Sequence, residues 1–244
     1  MIGDARAAVA FLTRLPVGAT ELTAARLSKA APWFPAVGLL VGGVMAGTRA
    51  LAGLALDPMP ATVLALLAAV LVTGALHEDG LADAADAMGA HATRERKLAI
   101  LRDSRVGAYG ALALIFSVAF AIATLAALDE AHFARAALTG HALARWSTLP
   151  QALALPAARP EGSGALVRPT PAAVAAGSAV ALATALLAGG LEAGAIAAAV
   201  ACALTAIGAA VAGRTLGGVT GDTFGATAKV VELGAYAALA AAWA

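Results

Sequence analysis

Seven apolar runs, each near the length needed to cross a bilayer, divide this chain and limit what it can fold into. They lie near 33–56, 60–76, 109–128, 136–155, 172–189, 194–213 and 228–244. A spanning helix takes about 20 mostly apolar residues. Lipid tolerates no unpaired backbone, so every run is read as helix. Alanine and leucine, which dominate the runs, are strong helix formers. Soluble domains are about 45–50% apolar with glycine included, whereas this chain is 61% hydrophobic without it. The fold class is therefore all-α: one membrane-embedded domain over 1–244, a polytopic helix bundle of about seven transmembrane helices. The count falls to five or six if 136–155 or 228–244, which contains Glu232, does not cross.

Charge orients the bundle. With the N-terminus in the cytoplasm, 1–31 is an amphipathic cytoplasmic segment, and 77–108, 156–171 and 214–227 also lie inside. These segments, with Lys229 at the edge of the last, hold 13 of the 16 lysines and arginines. Only Arg135 falls outside, beside Asp57, Asp129, Glu130 and Glu192, while Arg49 and Arg145 lie within spans. That is the positive-inside pattern. A formal net charge of +1 says nothing about nucleic acid, and no nucleic-acid partner is expected. The lone Cys202 cannot form an internal disulfide. Met1 to Ala10 is too polar for a cleaved signal, so the spans themselves direct insertion.

The stretch His77-Glu78-Asp79-Gly80-Leu81-Ala82-Asp83-Ala84-Ala85-Asp86 puts four carboxylates and a histidine at the cytoplasmic end of the second run. In a chain only 13% charged, such a cluster is costly to keep near a membrane. Asp79, Asp83 and Asp86 stand at i, i+4 and i+7, one face of a helix. Convergent carboxylates suit a hard divalent cation, most plausibly Mg²⁺, which commonly shares its oxygen ligands with phosphate. Gly80 lets a ligand or a second helix approach the backbone.

Two further cytoplasmic stretches join it. In Arg102-Asp103-Ser104-Arg105-Val106-Gly107-Ala108-Tyr109-Gly110, arginine forks suit phosphate and Asp103 can add to a metal site. Arg94, Arg96 and Lys97 are read as a basic stop at the membrane surface. In Gly213 to Ala226, glycines recur at 213, 217, 221 and 225, a small-residue stripe for helix contact and self-association. Packing does not account for Asp222 with Thr220, Gly221 and Thr223, which fit metal or phosphate binding. Arg145, one turn from His141, is an arginine at membrane depth and requires a partner. Arg159 to Gly164 reads as a flexible connector, and Glu232 as a weaker candidate. Zinc-ligand spacing, a Walker loop and a nucleophile elbow are missing from the sequence.

Taken together, five stretches resemble the cobalamin synthase family, the adenosylcobinamide-GDP ribazoletransferases. They are Phe11 to Val17 (Phe-Leu-Thr-Arg-Leu-Pro-Val), Trp33 to Gly38, the His77–Asp86 decade, Arg102 to Gly110, and Gly217 to Ala226. Their order and spacing are those of the family from one end of the chain to the other. Glu78 departs from the apolar residue expected there in many relatives. The resemblance implies a multi-pass enzyme of the bacterial inner membrane that joins adenosylcobinamide-GDP to α-ribazole or its 5′-phosphate, releasing GMP and requiring Mg²⁺. On that reading the metal ligands come from Asp79, Asp83, Asp86, Asp103 and Asp222. Arg14, Arg102, Ser104, Arg105, Arg145, Thr220, Gly221 and Thr223 bind substrate. A carboxylate (Asp79 or Asp83) or His77 accepts the proton of the attacking ribose hydroxyl.

Two alternatives follow from the same residues. A CDP-alcohol phosphatidyltransferase also begins its acidic signature Asp-Gly, but here Asp79-Gly80 lacks the Ala-Arg that such a signature carries. A secondary transporter would use intramembrane charges as an ion path, yet the second half holds no inverted copy of the acidic decade.

Overall fold

The structure is a computed structural model that describes residues 2–18 and 21–244; Met1, Ala19 and Thr20, all within the N-terminal segment, lie outside it. Among the described residues no β-strand forms. The helices are α1 (Ile2–Leu12), α2 (Ala24–Ala30), α3 (Phe34–Ala52), α4 (Pro58–Thr73), α5 (Leu76–Gly89), α6 (Arg94–Ile100) and α7 (Ala108–Leu125). They continue as α8 (Glu130–Trp146), α9 (Thr148–Ala154), α10 (Ser163–Leu166), α11 (Pro171–Ala188), α12 (Leu191–Leu216) and α13 (Gly221–Trp243). Local chemistry sets many of the starts. Thr23, Thr93, Asp129 and Thr170 each accept a backbone N–H from the first turn that follows.

Helices α8 and α13 form the centre. Every residue of α8 from Thr139 to Arg145 is buried, and α13 packs against α5, α7, α8 and α12. The packing is dominated by alanine, including Ala136, Ala137, Ala185, Ala197, Ala201 and Ala235, all fully buried. Small side chains are what close helix approach needs where lipid supplies no hydrophobic drive.

Length and composition make α3 (taken together with α2, from Ala24), α7, α11 and α12 long and apolar enough to cross a membrane. Helices α4 and α5 add a fifth span if taken as one, although they bend by 87°. The expected seven includes α8, which at 17 residues is short for such a count, and α13, whose hydropathy is lowered by Lys229 and Glu232. Those side chains face other helices. The run 136–155 is also not continuous: it breaks between α8 and α9.

Seven helices (α3, α4, α7, α8, α11, α12, α13) nevertheless alternate in direction, giving the bundle two distinct ends. At one end Arg49 pairs with Glu130 at 3.1 Å, Arg135 donates to the carbonyls of Ala188 and Gly189, and the His132 ring meets Trp243. At the other lie Arg14, α5, α6, the 156–170 segment and the start of α13.

The bend between α4 and α5 turns on Gly74 and Ala75, both with positive φ (64° and 59°). Gly74 is further confined because the Arg14 side chain covers it, leaving no room for a Cβ. The reorientation swings the acidic decade off the axis of α4 and onto α13.

Candidate active site

Helix α5 reaches α13 through two glycines. A Cβ on Gly80 would stand 2.9 Å from the Asp222 carbonyl oxygen and 3.0 Å from the Gly225 Cα. A Cβ on Gly225 would stand 3.2 Å from the Gly80 Cα. Gly80 therefore admits a second helix, one of its two expected uses. The glycines at 213, 217, 221 and 225 do not form one stripe, because α12 ends at Leu216 and α13 begins at Gly221. Gly217 instead takes φ 70° at the end of α12, and Gly225 alone makes the crossing with α5.

That crossing brings Asp79 and Asp83 of α5 toward Asp222. Asp79 is exposed, and Asp83 and Asp222 are partly covered. Burial first, then the negative charges of Asp79, Asp222 and Asp86, raise the Asp83 carboxyl to about 6, while Arg159 opposes the rise. Burial likewise raises Asp222, again against Arg159. Asp222 accepts from Thr220 Oγ1 at 3.1 Å and from Arg159 Nη2 at 3.2 Å. Thr220 and Thr223 form a reciprocal cap at the start of α13, each side chain bonding the other's backbone N–H. Gly221 packs against Ser163.

The other expected ligands are placed differently. Asp86 accepts the Gly107 and Gly110 N–H groups at 2.7 and 2.9 Å, capping the start of α7. Asp103 is tied to Arg105 by a two-point contact (2.9 and 2.6 Å) that holds its carboxyl down at about 2. Arg102, Ser104 and Arg105 are exposed, with Arg102 3.8 Å from Glu161. Among the described residues no three His, Cys, Asp or Glu side chains form a ready-made metal cage, so the five acids do not converge as a single ligand set. The residues that remain still fit Mg²⁺. That ion keeps several waters and is commonly held by one or two carboxylates plus substrate phosphate, a role open to Asp79 and Asp83 with Asp222 opposite.

His77 is buried on the far side of α5 from Asp79, roughly 200° around the helix. It lines a cavity of about 60 Å³ with Phe11, Ser163 and Phe224. It also borders a polar void of about 20 Å³ among Glu78, His141, Arg145, Lys229 and Glu232. Arg145, expected to bind substrate, lies inside the bundle, 1% exposed, with Nη1 3.3 Å from Glu232. His141 Nδ1 stands 2.9 Å from the same oxygen, and Lys229 joins Glu232 (2.8 Å) to Glu78 (2.9 Å). This charge chain fastens α5, α8 and α13 together. Sequence reading noticed Glu232 but not Lys229 as its partner, although their i, i+3 spacing was a usable signal.

Arg159 is the other residue missed. Its segment is not a loose connector: the Ala158 N–H donates to the Val219 carbonyl and the Val219 N–H to the Pro156 carbonyl, both at 2.9 Å, and Arg94 donates to the Ala158 and Leu216 carbonyls. Arg94 is thus a strut as well as a surface charge. The two large apolar recesses, about 230 and 580 Å³, lie on the flanks of α5 and are lined by no charged residue, so the polar chemistry sits elsewhere.

The profile of the cobalamin-5-phosphate synthase family matches residues 4–240. An adenosylcobinamide-GDP ribazoletransferase of Rhizobium etli (strain CIAT 652) is 40% identical over 98% of this chain and 96% of its own length. Proteins of the same name from Bradyrhizobium diazoefficiens and Shewanella halifaxensis are 44% and 43% identical, over 68% and 57% of this chain. Those two alignments take in 65% and 55% of the relatives' own lengths. No solved structure matches. Of the three readings the sequence allowed, the matches select the first.

Proposed function

Because the chain belongs to the cobalamin-5-phosphate synthase family, we propose that it transfers the cobinamide-phosphate group of adenosylcobinamide-GDP to α-ribazole or its 5′-phosphate, releasing GMP. The relatives' shared name supports the activity. The observation that carries the site is the approach of Asp79 and Asp83 to Asp222 across the Gly80–Gly225 crossing.

Asp79 and Asp83 would hold Mg²⁺, with Asp222 completing the set from α13. A bound ion would supply positive charge to offset the negative charge on the phosphate that leaves with GMP. The new bond joins the acceptor ribose oxygen to the phosphorus bearing cobinamide, and the bond from that phosphorus to the oxygen shared with GMP breaks. The hydroxyl proton passes to a carboxylate of the cluster, Asp79 or Asp83. His77, turned into the bundle, is poorly placed for this.

The basic end of the bundle faces the cytoplasm in this reading, where nucleotide substrates are found, and the membrane is the inner one. The test is direct. Purified protein in detergent, given adenosylcobinamide-GDP, α-ribazole and Mg²⁺, should yield cobalamin and GMP in equal amounts, and chelation should stop it. Asp83→Asn should stay folded and lose at least a hundredfold in turnover. Release of GMP without a cobalamin product would refute the assignment.

A further inference from the structure

Resting on that reading of the site, we propose that Arg159 anchors the diphosphate of the nucleotide substrate, making the 156–164 segment part of the binding site. Three observations lead there. Arg159 lies beside the carboxylates, its Nη2 on Asp222 at 3.2 Å, with its side chain 17% exposed. Its Nη1 is buried and has no hydrogen-bond partner among the described residues. A buried donor left unpaired is costly, and this one, beside the carboxylates, is open to an acceptor carried by a ligand. Third, the position is held firmly: the 2.9 Å bonds of Ala158 to Val219, Val219 to Pro156 and Arg94 to Ala158 fix the backbone immediately before it.

The chemistry of the ligand follows from the neighbours. A cluster of carboxylates with one guanidinium at its edge attracts neither a bare anion nor a simple organic cation. It suits a ligand with two faces, a divalent cation for the acids and phosphate oxygens for the arginine fork. A metal-bound nucleoside diphosphate ester has both. The basic residues named from sequence serve less well. Arg105 is engaged by Asp103, Arg145 by Glu232, and Arg94 by backbone carbonyls.

The competing role, simple neutralisation of Asp222, predicts other results. Calorimetry on the full chain in detergent would use two probes, Mg²⁺ alone and GDP with Mg²⁺. Arg159→Gln should bind Mg²⁺ as well as or better than the wild type, because a cation has left Asp222, yet bind Mg²⁺–GDP at least tenfold more weakly. Arg159→Lys, which keeps charge without the fork, should fall between. Unchanged Mg²⁺–GDP affinity, or loss of both ligands together with a lowered melting temperature, would overturn the proposal. A second comparison needs no metal. In chelator, Asp222→Asn should bind GDP more tightly than the wild type, and adding Arg159→Gln should abolish that gain; no gain, or a gain independent of Arg159, would also overturn it. A wild type that binds neither Mg²⁺ nor GDP would remove the proposed function itself, and the anchor with it.

Discussion

Gly80 and Gly225 meet where α5 crosses α13, so close that a Cβ on Gly80 would stand 3.0 Å from the Gly225 Cα. The contact sets the distance between acids that lie about 140 residues apart in the chain, Asp79 and Asp83 on one helix and Asp222 on the other.

Substitution at the crossing should cost activity in a fixed order. Gly80→Ala meets backbone at 2.9 Å, which must move; Gly225→Ala meets its nearest atoms at 3.2 Å. Overpacking of this kind costs about 1–3 kcal/mol. Gly80→Ala should therefore lower turnover more than Gly225→Ala, with both proteins still in the membrane. Equal, near-normal turnover would mean that the helix spacing is not critical.

Acid should weaken magnesium binding. The Asp83 carboxyl, held up at about 6, is an anion only above that pH. Mg²⁺ affinity should drop as pH falls through this value, approaching tenfold per unit below it. Stability has the opposite sign. The folded value lies above the ordinary 3.8, so the metal-free protein holds a proton in this window that the unfolded chain has released. It should lose stability as pH rises from about 4 to about 6. Asp83→Asn should flatten both trends. Calorimetric titrations and melting curves from about pH 4 to about pH 7.5 would show them.

Asp86 separates capping from metal binding. Its oxygens take the Gly107 and Gly110 N–H groups. Asp86→Ala should destabilise the protein by about 0.5–2 kcal/mol, as loss of a helix cap does, and leave Mg²⁺ affinity within a factor of about three. A loss of affinity matching that of Asp83→Asn would return Asp86 to the ligand set.

The buried charge chain should be intolerant of partial removal. Glu232 is 2% exposed between Arg145, His141 and Lys229. Glu232→Gln leaves cations without their shared anion, a change that costs about 3–5 kcal/mol. Changing Glu78 and Lys229 together, to Gln and Met, removes a pair and should cost less than Glu232→Gln alone. Thermal unfolding in detergent would rank them.

Orientation can be read by chemical labelling. A cysteine at Asp57 or Glu192, in a Cys202→Ala background, should react with an impermeant reagent added outside intact cells. A cysteine at Arg105 should react only after the membrane is opened. The reverse pattern would invert the bundle.

Much of this protein was legible before any coordinates. Apolar runs imposed helices because backbone in lipid must satisfy itself. The Asp79–Asp83 spacing placed two carboxylates on one helical face through helix geometry alone. What tertiary structure decided was partnership. Asp86 looks like a third ligand in sequence, yet it spends its oxygens on α7, since three carboxylates on one helical face do not announce which meets a neighbouring helix end. Arg145 at membrane depth demanded a partner, and only folding showed that partner to be Glu232, on a helix that arrives 87 residues later. Arg159 sits in a stretch of glycine and proline that reads as a linker. Its tie to Asp222 depends on backbone pairing between 156–158 and 219, a long-range contact with no periodicity to reveal it.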